Sequence, residues 1–162
     1  MNNTNSISPV IRRYAIAIII ALFTISSVVV FVVLNSKTVM AEEITVYKSP
    51  TCGCCNKWVD HLKDSGFEVK AFNRNDMPQV KQQLGVAPPL QSCHTAIING
   101  YVIEGHVPAS DIQRLLSEKP AIHGLTAPGM PMASPGMEGP RKDRYDVLAI
   151  DKQGKTTVFS QH

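Results

Sequence analysis

Four cysteines are the residues of this chain whose types and spacing could perform chemistry. Cys52, Cys54 and Cys55 form the segment C-x-C-C, and Cys93 stands alone further along the chain. Adjacent cysteines such as Cys54 and Cys55 can hardly bridge each other, because disulfide geometry is demanding. A cluster of this kind indicates metal binding or redox chemistry and not a framework of structural disulfides.

Metal binding is the first function that the cysteines indicate. Copper(I) prefers thiolate, thioether and imidazole donors, whereas harder ions prefer oxygen. Three or four converging thiolates with no nearby carboxylate therefore favour copper(I), with zinc as the alternative. Because Cys54 and Cys55 cannot easily both face one tetrahedral ion, thiolates that bridge several copper ions are a further hypothesis.

Redox chemistry is the alternative function. Cys52 and Cys55 alone form C-x-x-C, the spacing of a thioredoxin-like redox pair. A thiol–disulfide oxidoreductase would use Cys52 as the attacking nucleophile and Cys55 as the resolving thiol. Cys54 and Cys93 speak against this reading, because additional thiols would trap mixed disulfides. A structural zinc domain is a third reading.

Histidines supply further candidate ligands. His94, beside Cys93, is the first choice, with a hydrogen-bonding role as its alternative. His61 follows Cys54 by seven residues, about 10 Å along a helix, so we expect it beside the site or in a structural role. His106 is a lower-ranked ligand, with a capping or loop role as its alternative.

Met130 and Met137 lie in a stretch rich in glycine, proline and methionine that runs from about residue 121 to 140. Their thioethers could bind copper(I), or they could fill gaps under a long loop. A stretch of this length without secondary structure is either functional or an ordered surface wrap.

The elements that position the cysteines follow from the residue pattern. The C-x-C-C segment lies between a predicted strand over 44–47 and a predicted helix over 54–65. Unpaired backbone N–H groups and the positive end of the helix dipole favour thiolate there. The remaining predicted elements are a strand over 67–72, a helix over 76–84, an extended connector over 87–90, a hairpin of 95–98 with 101–103, a helix over 111–118, and a terminal hairpin of 145–150 with 155–159.

This order of elements predicts an α/β fold. Asn99-Gly100 joins the two strands of the first hairpin with a strong turn signal. Strand–helix–strand units with right-handed crossovers give a small mixed sheet with helices packed on its faces.

The N-terminal segment predicts export. Arg12 and Arg13 precede an uncharged apolar run over residues 14–34, close to the roughly 20 residues that cross a bilayer. Cleavage after Ala41 and an uncleaved inner-membrane anchor both fit this segment. Residues 1–41 are thus predicted to be a signal peptide or an N-terminal membrane anchor, and residues 42–162 a metal-binding domain in the periplasm.

Charge excludes one class of partner. Removing Arg12, Arg13 and Lys37 from the 16 basic residues leaves 13 against 13 acidic residues in 42–162. A neutral domain without a basic stripe is poorly suited to nucleic acid. Membrane contact is expected only through the N-terminal segment, if that segment stays uncleaved.

Taken together, the motifs resemble the thioredoxin-like periplasmic copper-resistance proteins called CopG, over residues 44 to about 159. The shared motifs are the segment from Tyr47 to Cys55, Trp58 with His61-Leu62, Gly66-Phe67, Ser92-Cys93-His94-Thr95, Glu104-Gly105-His106-Val107-Pro108-Ala109 and the stretch from Gly129 to Glu138.

The resemblance implies a thioredoxin-like domain over 42–162 in which Cys93 and His94, entering the hairpin, lie against the C-x-x-C loop. It also implies a role in copper tolerance, copper(I) held by the cysteines, and periplasmic copper-handling proteins as partners. Oxidoreductase activity towards copper or a partner protein is a further expectation. His123 and Met132 are peculiar to this chain, and no role is carried onto them.

Overall fold

A computed structural model describes residues 41–140 and 143–162 of the chain. The predicted signal peptide or membrane anchor over 1–41 lies outside the described residues, apart from Ala41. None of the helices in the described ranges is both long enough and apolar enough to cross a membrane.

Seven strands and three α-helices form the described part of the chain. The strands are β1 (Glu43–Lys48), β2 (Glu68–Asn73), β3 (His94–Ile98), β4 (Tyr101–Gly105), β5 (Gly124–Ala127), β6 (Asp146–Ile150) and β7 (Thr156–Gln161). The helices are α1 (Gly53–Asp64), α2 (Met77–Gln83) and α3 (Ala109–Glu118).

The strands form one mixed sheet in the order β2-β1-β3-β4-β5-β6-β7. β1 pairs in parallel with β2 and β4 with β5, whereas the other neighbours are antiparallel. The prediction of a mixed α/β sheet with flanking helices is therefore confirmed, as are both predicted hairpins, β3–β4 and β6–β7.

Two local predictions were wrong. Strand β5 lies inside the stretch predicted to lack secondary structure, and all four of its residues are buried. A strand buried on both faces shows no alternation of polar and apolar residues, so its pattern is hard to recognise. The predicted extended connector over 87–90 contains a 3₁₀ turn, Pro88–Leu90, because the backbone angle that proline fixes also suits the first turn of a helix.

The core holds α1 against the sheet. Trp58, Val59 and Leu62 of α1 are buried in the main hydrophobic cluster. The indole Nε1 of Trp58 also donates a hydrogen bond to Val107 O at 2.8 Å. Burying a side chain of this size contributes about 2–3 kcal/mol. The N-terminus of α1, which carries the cysteines, is thereby fixed relative to the strands.

Candidate metal centre

The pairing of β1 with β3 brings Cys93 beside the segment that contains the other three cysteines. β1 ends at Lys48 and β3 begins at His94, and these two residues are cross-strand partners. The loop after β1 carries Cys52, and the residue before β3 is Cys93. Because the two strands run antiparallel, the end of one lies beside the start of the other. The four cysteines therefore meet where α1 begins.

Cys52 is the N-cap residue of α1. Its sulfur accepts a hydrogen bond from the backbone N–H of Cys55 at 3.3 Å. Helix N-termini stabilise negative charge through such N–H groups and the helix dipole. This position favours the thiolate form of Cys52 once the sulfur is reduced.

The four sulfur atoms lie within 4.8 Å of one another. Cys52 and Cys55 are joined by a disulfide, and Cys54 and Cys93 carry free thiols. Cys54 Sγ is 3.5 Å from Cys52 Sγ and 3.9 Å from Cys93 Sγ, and Cys93 Sγ is 3.5 Å from Cys55 Sγ. The disulfide and the two free thiols thus form one cluster.

The four sulfur atoms form one group of possible metal donors. Cys93 also belongs to a second group, which it forms with His94 and His106. His94 Nδ1 lies 3.3 Å from Cys93 Sγ, and His106 Nε2 lies 3.0 Å from it. His106 Nδ1 is 2.7 Å from Pro135 O. Because a carbonyl oxygen only accepts, Nδ1 of His106 carries the proton and its Nε2 lone pair faces the sulfur. A backbone carbonyl orients metal-binding histidines in this way.

The two ring nitrogens of His94 have different surroundings. Nε2 is the one buried side-chain nitrogen or oxygen in the described ranges for which no hydrogen-bond partner is found. The ring is fully buried between the rings of Trp58 and His106, with centroid distances of 4.3 and 4.9 Å. The ring nitrogen that faces Cys93 Sγ is Nδ1, so a metal at the cluster would be bound through that atom.

Burial keeps the donors uncharged in this state. It raises the pKa of Cys93 to about 12, with the neighbouring Cys54 adding to the effect. It also lowers the pKa of His106, and that of His94 well below its ordinary value. A soft cation would supply the positive charge that makes thiolate favourable, so metal binding here would release protons.

A segment that we call the strap, residues 129–138, packs against this cluster. A Cβ on Gly136, whose φ is +85°, would lie 2.7 Å from Cys54 O and 2.9 Å from Trp58 N. At its start the strap forms a bridge with Ser92, whose hydroxyl donates to Gly129 O. The stretch predicted to be functional or a surface wrap thus contacts both cysteine segments.

The remaining candidate ligands from the sequence analysis lie at different distances from the cysteine cluster. His61 Nε2 accepts the backbone N–H of Ala109 at 3.0 Å, so it caps α3. Met130 is 56% exposed on the strap, and Met137 is half-buried. His106, which ranked below His94 in the sequence, is fully buried beside Cys93.

Sequence reasoning missed a buried ion pair behind the cluster. Lys81 on α2 and Glu104 on β4 lie 2.5 Å apart, and their side chains are 6% and 0% exposed. No pattern in the sequence indicates this pair, because charged residues on a short helix and a strand are ordinarily on the surface.

The disulfide leads to a prediction about thiol reactivity. Protein purified in air and unfolded without reductant should react with a chromogenic disulfide at two thiols, Cys54 and Cys93, and at four after reduction. Alkylation followed by peptide mass spectrometry identifies the labelled positions. Label on Cys52 or Cys55 before reduction would show that a different pair is bridged.

The contact of His61 leads to a prediction about acid stability. Burial lowers the pKa of His61 below its ordinary value of 6.5, so its contribution to stability is complete above pH 6.5 and is lost as the pH falls through the lowered pKa. His61→Gln can still accept from Ala109 N–H but cannot titrate. We therefore expect the wild type to lose more unfolding free energy than His61→Gln between pH 8 and pH 5.

Urea denaturation at both pH values, followed by the fluorescence of Trp58, measures this difference. His94 and His106 titrate equally in both proteins, so their contribution cancels in the comparison. His61→Ala, which removes the acceptor, should cost about 1 kcal/mol at pH 8. Equal losses in the wild type and His61→Gln would contradict the assignment.

Comparisons with known proteins give two structures and one family model. The chain is similar to solved structures described as copper resistance protein CopG, form 2 and form 1, at 42% sequence identity to each. The TM-scores are 0.73 and 0.72; each match covers 76% of this chain, and 99% and 98% of those chains. The family model DUF411, a protein family of unknown function, matches residues 90–137. No curated protein sequence matches the chain.

Proposed function

The chain belongs to the family of the copper resistance protein CopG, and from this premise we propose that it binds copper ions through its cysteine cluster. One observation carries the proposal: the sulfur atoms of Cys52, Cys54, Cys55 and Cys93 lie within 4.8 Å of one another. Four soft donors at that separation suit copper(I), which prefers thiolate.

The oxidation state of the cysteines sets the capacity of the site. While Cys52 and Cys55 are bridged, the thiols of Cys54 and Cys93 remain for copper, together with the imidazoles of His94 and His106. Reduction of the disulfide adds two further thiolates. We therefore propose that the reduced protein is the form that holds copper(I).

The two donor groups support a multinuclear site. Cys93 belongs both to the group of four sulfurs and to the group with two imidazoles. A thiolate has several lone pairs and can bridge two ions, so Cys93 would join copper held by sulfur to copper held by nitrogen. Met130 and Met137 on the strap remain candidates for additional thioether donors.

The cellular role that we propose is copper tolerance in the periplasm. The predicted export segment over 1–41 and the family both support this location. A thioredoxin-like scaffold, with Cys93 and His94 entering the β3–β4 hairpin beside the cysteine loop, is the finer description that we propose for the fold. Periplasmic copper-handling proteins are the partners expected from this role.

The proposal extends to an oxidoreductase activity on copper. Two copper(II) ions would each take up one electron and become copper(I). The thiols of Cys52 and Cys55 would supply both electrons, release two protons and form the disulfide. Copper(II) added without oxygen to the reduced protein should then lose its paramagnetic signal as two thiols disappear, and both would remain if the cluster only stores copper.

The experiment that tests copper binding is an anaerobic titration of reduced residues 42–162 with copper(I) against a strong chromogenic chelator. Each Cys→Ser variant is titrated in parallel, and bound metal is measured by elemental analysis. His123→Gln is a matched control for losing an imidazole, because His123 bonds Leu84 O and belongs to neither donor group.

We expect more than one copper ion per protein and a loss of affinity in each cysteine variant. A ratio limited to one ion would contradict the multinuclear site. No competition with the chelator would overturn the proposed function. Zinc that copper(I) cannot displace would instead support the structural zinc reading.

The disulfide favours a second candidate function, thiol–disulfide exchange. Cys52 at the N-cap of α1 and its bridge to Cys55 are the arrangement that such enzymes use. Reduction of insulin by Cys54→Ser and Cys93→Ser variants measures this activity. Undiminished turnover in both variants would favour the enzyme over the copper protein.

A further inference from the structure

The buried ion pair between Lys81 and Glu104 stands behind the metal centre and belongs to neither donor group. Both residues are buried. An ion pair of this kind loses much of its Coulomb attraction to the cost of desolvation, and apolar replacements are often as stable. Stability alone is therefore a weak reason for charges at this place.

The Glu104 carboxylate accepts hydrogen bonds from three residues in two parts of the chain. Its Oε1 accepts from Lys81 Nζ at 2.5 Å and from the backbone N–H of Ser92 at 2.6 Å. Its Oε2 accepts from Thr95 Oγ1 at 2.6 Å. Lys81 Nζ also donates to Thr95 Oγ1, at 3.0 Å. The carboxylate is satisfied in both oxygens and cannot shift without breaking one of these bonds.

Two of the three donors flank the ligand pair. Ser92 immediately precedes Cys93, and Thr95 immediately follows His94. One buried carboxylate thus holds the chain on both sides of the residues that supply the shared sulfur and an imidazole. Charge-assisted hydrogen bonds are stronger than neutral ones, which makes this an effective clamp.

Ser92 also connects this ion pair to the strap. Ser92 bonds Gly129 through its hydroxyl, and a Cβ on Gly105 would lie 2.5 Å from the Ser92 side chain. Ser92 is therefore confined by Glu104, by Gly105 and by the strap. A shift of Ser92 would carry Cys93 with it.

We infer that Lys81 and Glu104 form a positioning pair, which holds Ser92 and Thr95 so that Cys93 stays within reach of both donor groups. Lys81 orients the carboxylate, and Glu104 holds the segment. This inference rests on the proposed copper binding and adds to it the residues that set the geometry of the site.

Two double variants separate positioning from stability. Lys81→Met with Glu104→Gln removes both charges but keeps an amide that can accept from Ser92 N–H and donate to Thr95. Lys81→Met with Glu104→Leu removes the same charges and the hydrogen bonds, at similar volume. A difference between the two therefore reports the hydrogen bonds to the ligand segment.

We expect both double variants to fold, because neither leaves a buried charge unpaired, and the leucine variant to melt at the lower temperature, because Ser92 N–H and the Thr95 hydroxyl lose their acceptor. The variant with glutamine should bind copper(I) within about threefold of the wild type, and the variant with leucine about tenfold more weakly, equivalent to about 1.4 kcal/mol. The thiolate-to-copper absorption band should change in the leucine variant alone. Equal affinities and spectra in the two would overturn the inference.

A metal-free measurement keeps this test separate from the proposed function. In a Cys54→Ser background with the Cys52–Cys55 disulfide closed, Cys93 is the remaining thiol. Its alkylation by iodoacetamide should be faster in the leucine variant than in the glutamine variant. If the wild type bound no copper, the proposed function would fail, and this rate would still decide whether the segment is held.

A third variant is available if the leucine protein does not fold, as judged by circular dichroism. Thr95→Val preserves the shape of the side chain and removes one donor to Glu104. It should raise the alkylation rate of Cys93 in the same background. An unchanged rate would again overturn the inference.

Discussion

Replacing Cys93 with serine is expected to weaken copper(I) binding about a hundredfold or more, and more than replacement of Cys54. Cys93 Sγ lies within 4 Å of Cys54 Sγ, Cys55 Sγ and one nitrogen each of His94 and His106. It is the atom common to the two donor groups. A hundredfold corresponds to about 2.7 kcal/mol, a modest share of what a complete soft site contributes.

The chelator titration measures this effect, and the ratio of copper to protein adds a second readout. Cys54→Ser leaves the group of Cys93, His94 and His106 intact, so it should retain part of the copper. Cys93→Ser removes a ligand from both donor groups and should lower the affinity for copper(I) and the number of copper ions bound. If Cys54→Ser lost as much copper as Cys93→Ser, the central role of Cys93 would be wrong.

Gly136→Ala is expected to lower the unfolding free energy by about 3 kcal/mol and to weaken copper binding about tenfold. Two effects add at this position. The φ of +85° is unfavourable for alanine, at roughly 1–2 kcal/mol, and a methyl group would overlap Cys54 O and Trp58 N. The strap must then move away, and His106 loses the carbonyl of Pro135 that orients its ring.

Gly129→Ala is the matched control on the same strap. Gly129 has a similar φ of +71°, but nothing lies within 4 Å of its added Cβ. It should cost the backbone strain alone, about 1 kcal/mol, and leave copper affinity near that of the wild type. Urea denaturation and copper titration of the two variants measure both quantities. Equal effects on copper affinity would mean that contact between the strap and the cysteine loop does not support the site.

The elements close to the cysteines could be predicted from the sequence because their signals are local. The β-branched run of β1, the helix that begins at the C-x-C-C segment, and Asn99-Gly100 between β3 and β4 each depend on neighbouring residues. Strand β5 escaped prediction because it is buried on both faces and is held by pairing with β4 and β6, which are remote from it in the sequence.

The candidate site likewise has features that local sequence predicts and features that it does not. Donor chemistry is a property of residue type, so the sequence by itself determined that the cysteines are soft donors and placed three of them at a helix N-terminus. Placing Cys93 against them needed the resemblance to a fold, since it depends on pairing between β1 and β3.

Other features were decided only by the tertiary structure. These are the approach of His106 to Cys93, the contact of the strap with the cysteine loop, and the burial of Lys81 with Glu104. Each depends on distances between residues that are remote in sequence, which sheet pairing and core packing set together. Local composition and spacing do not predict such distances, because they are established only when the chain folds.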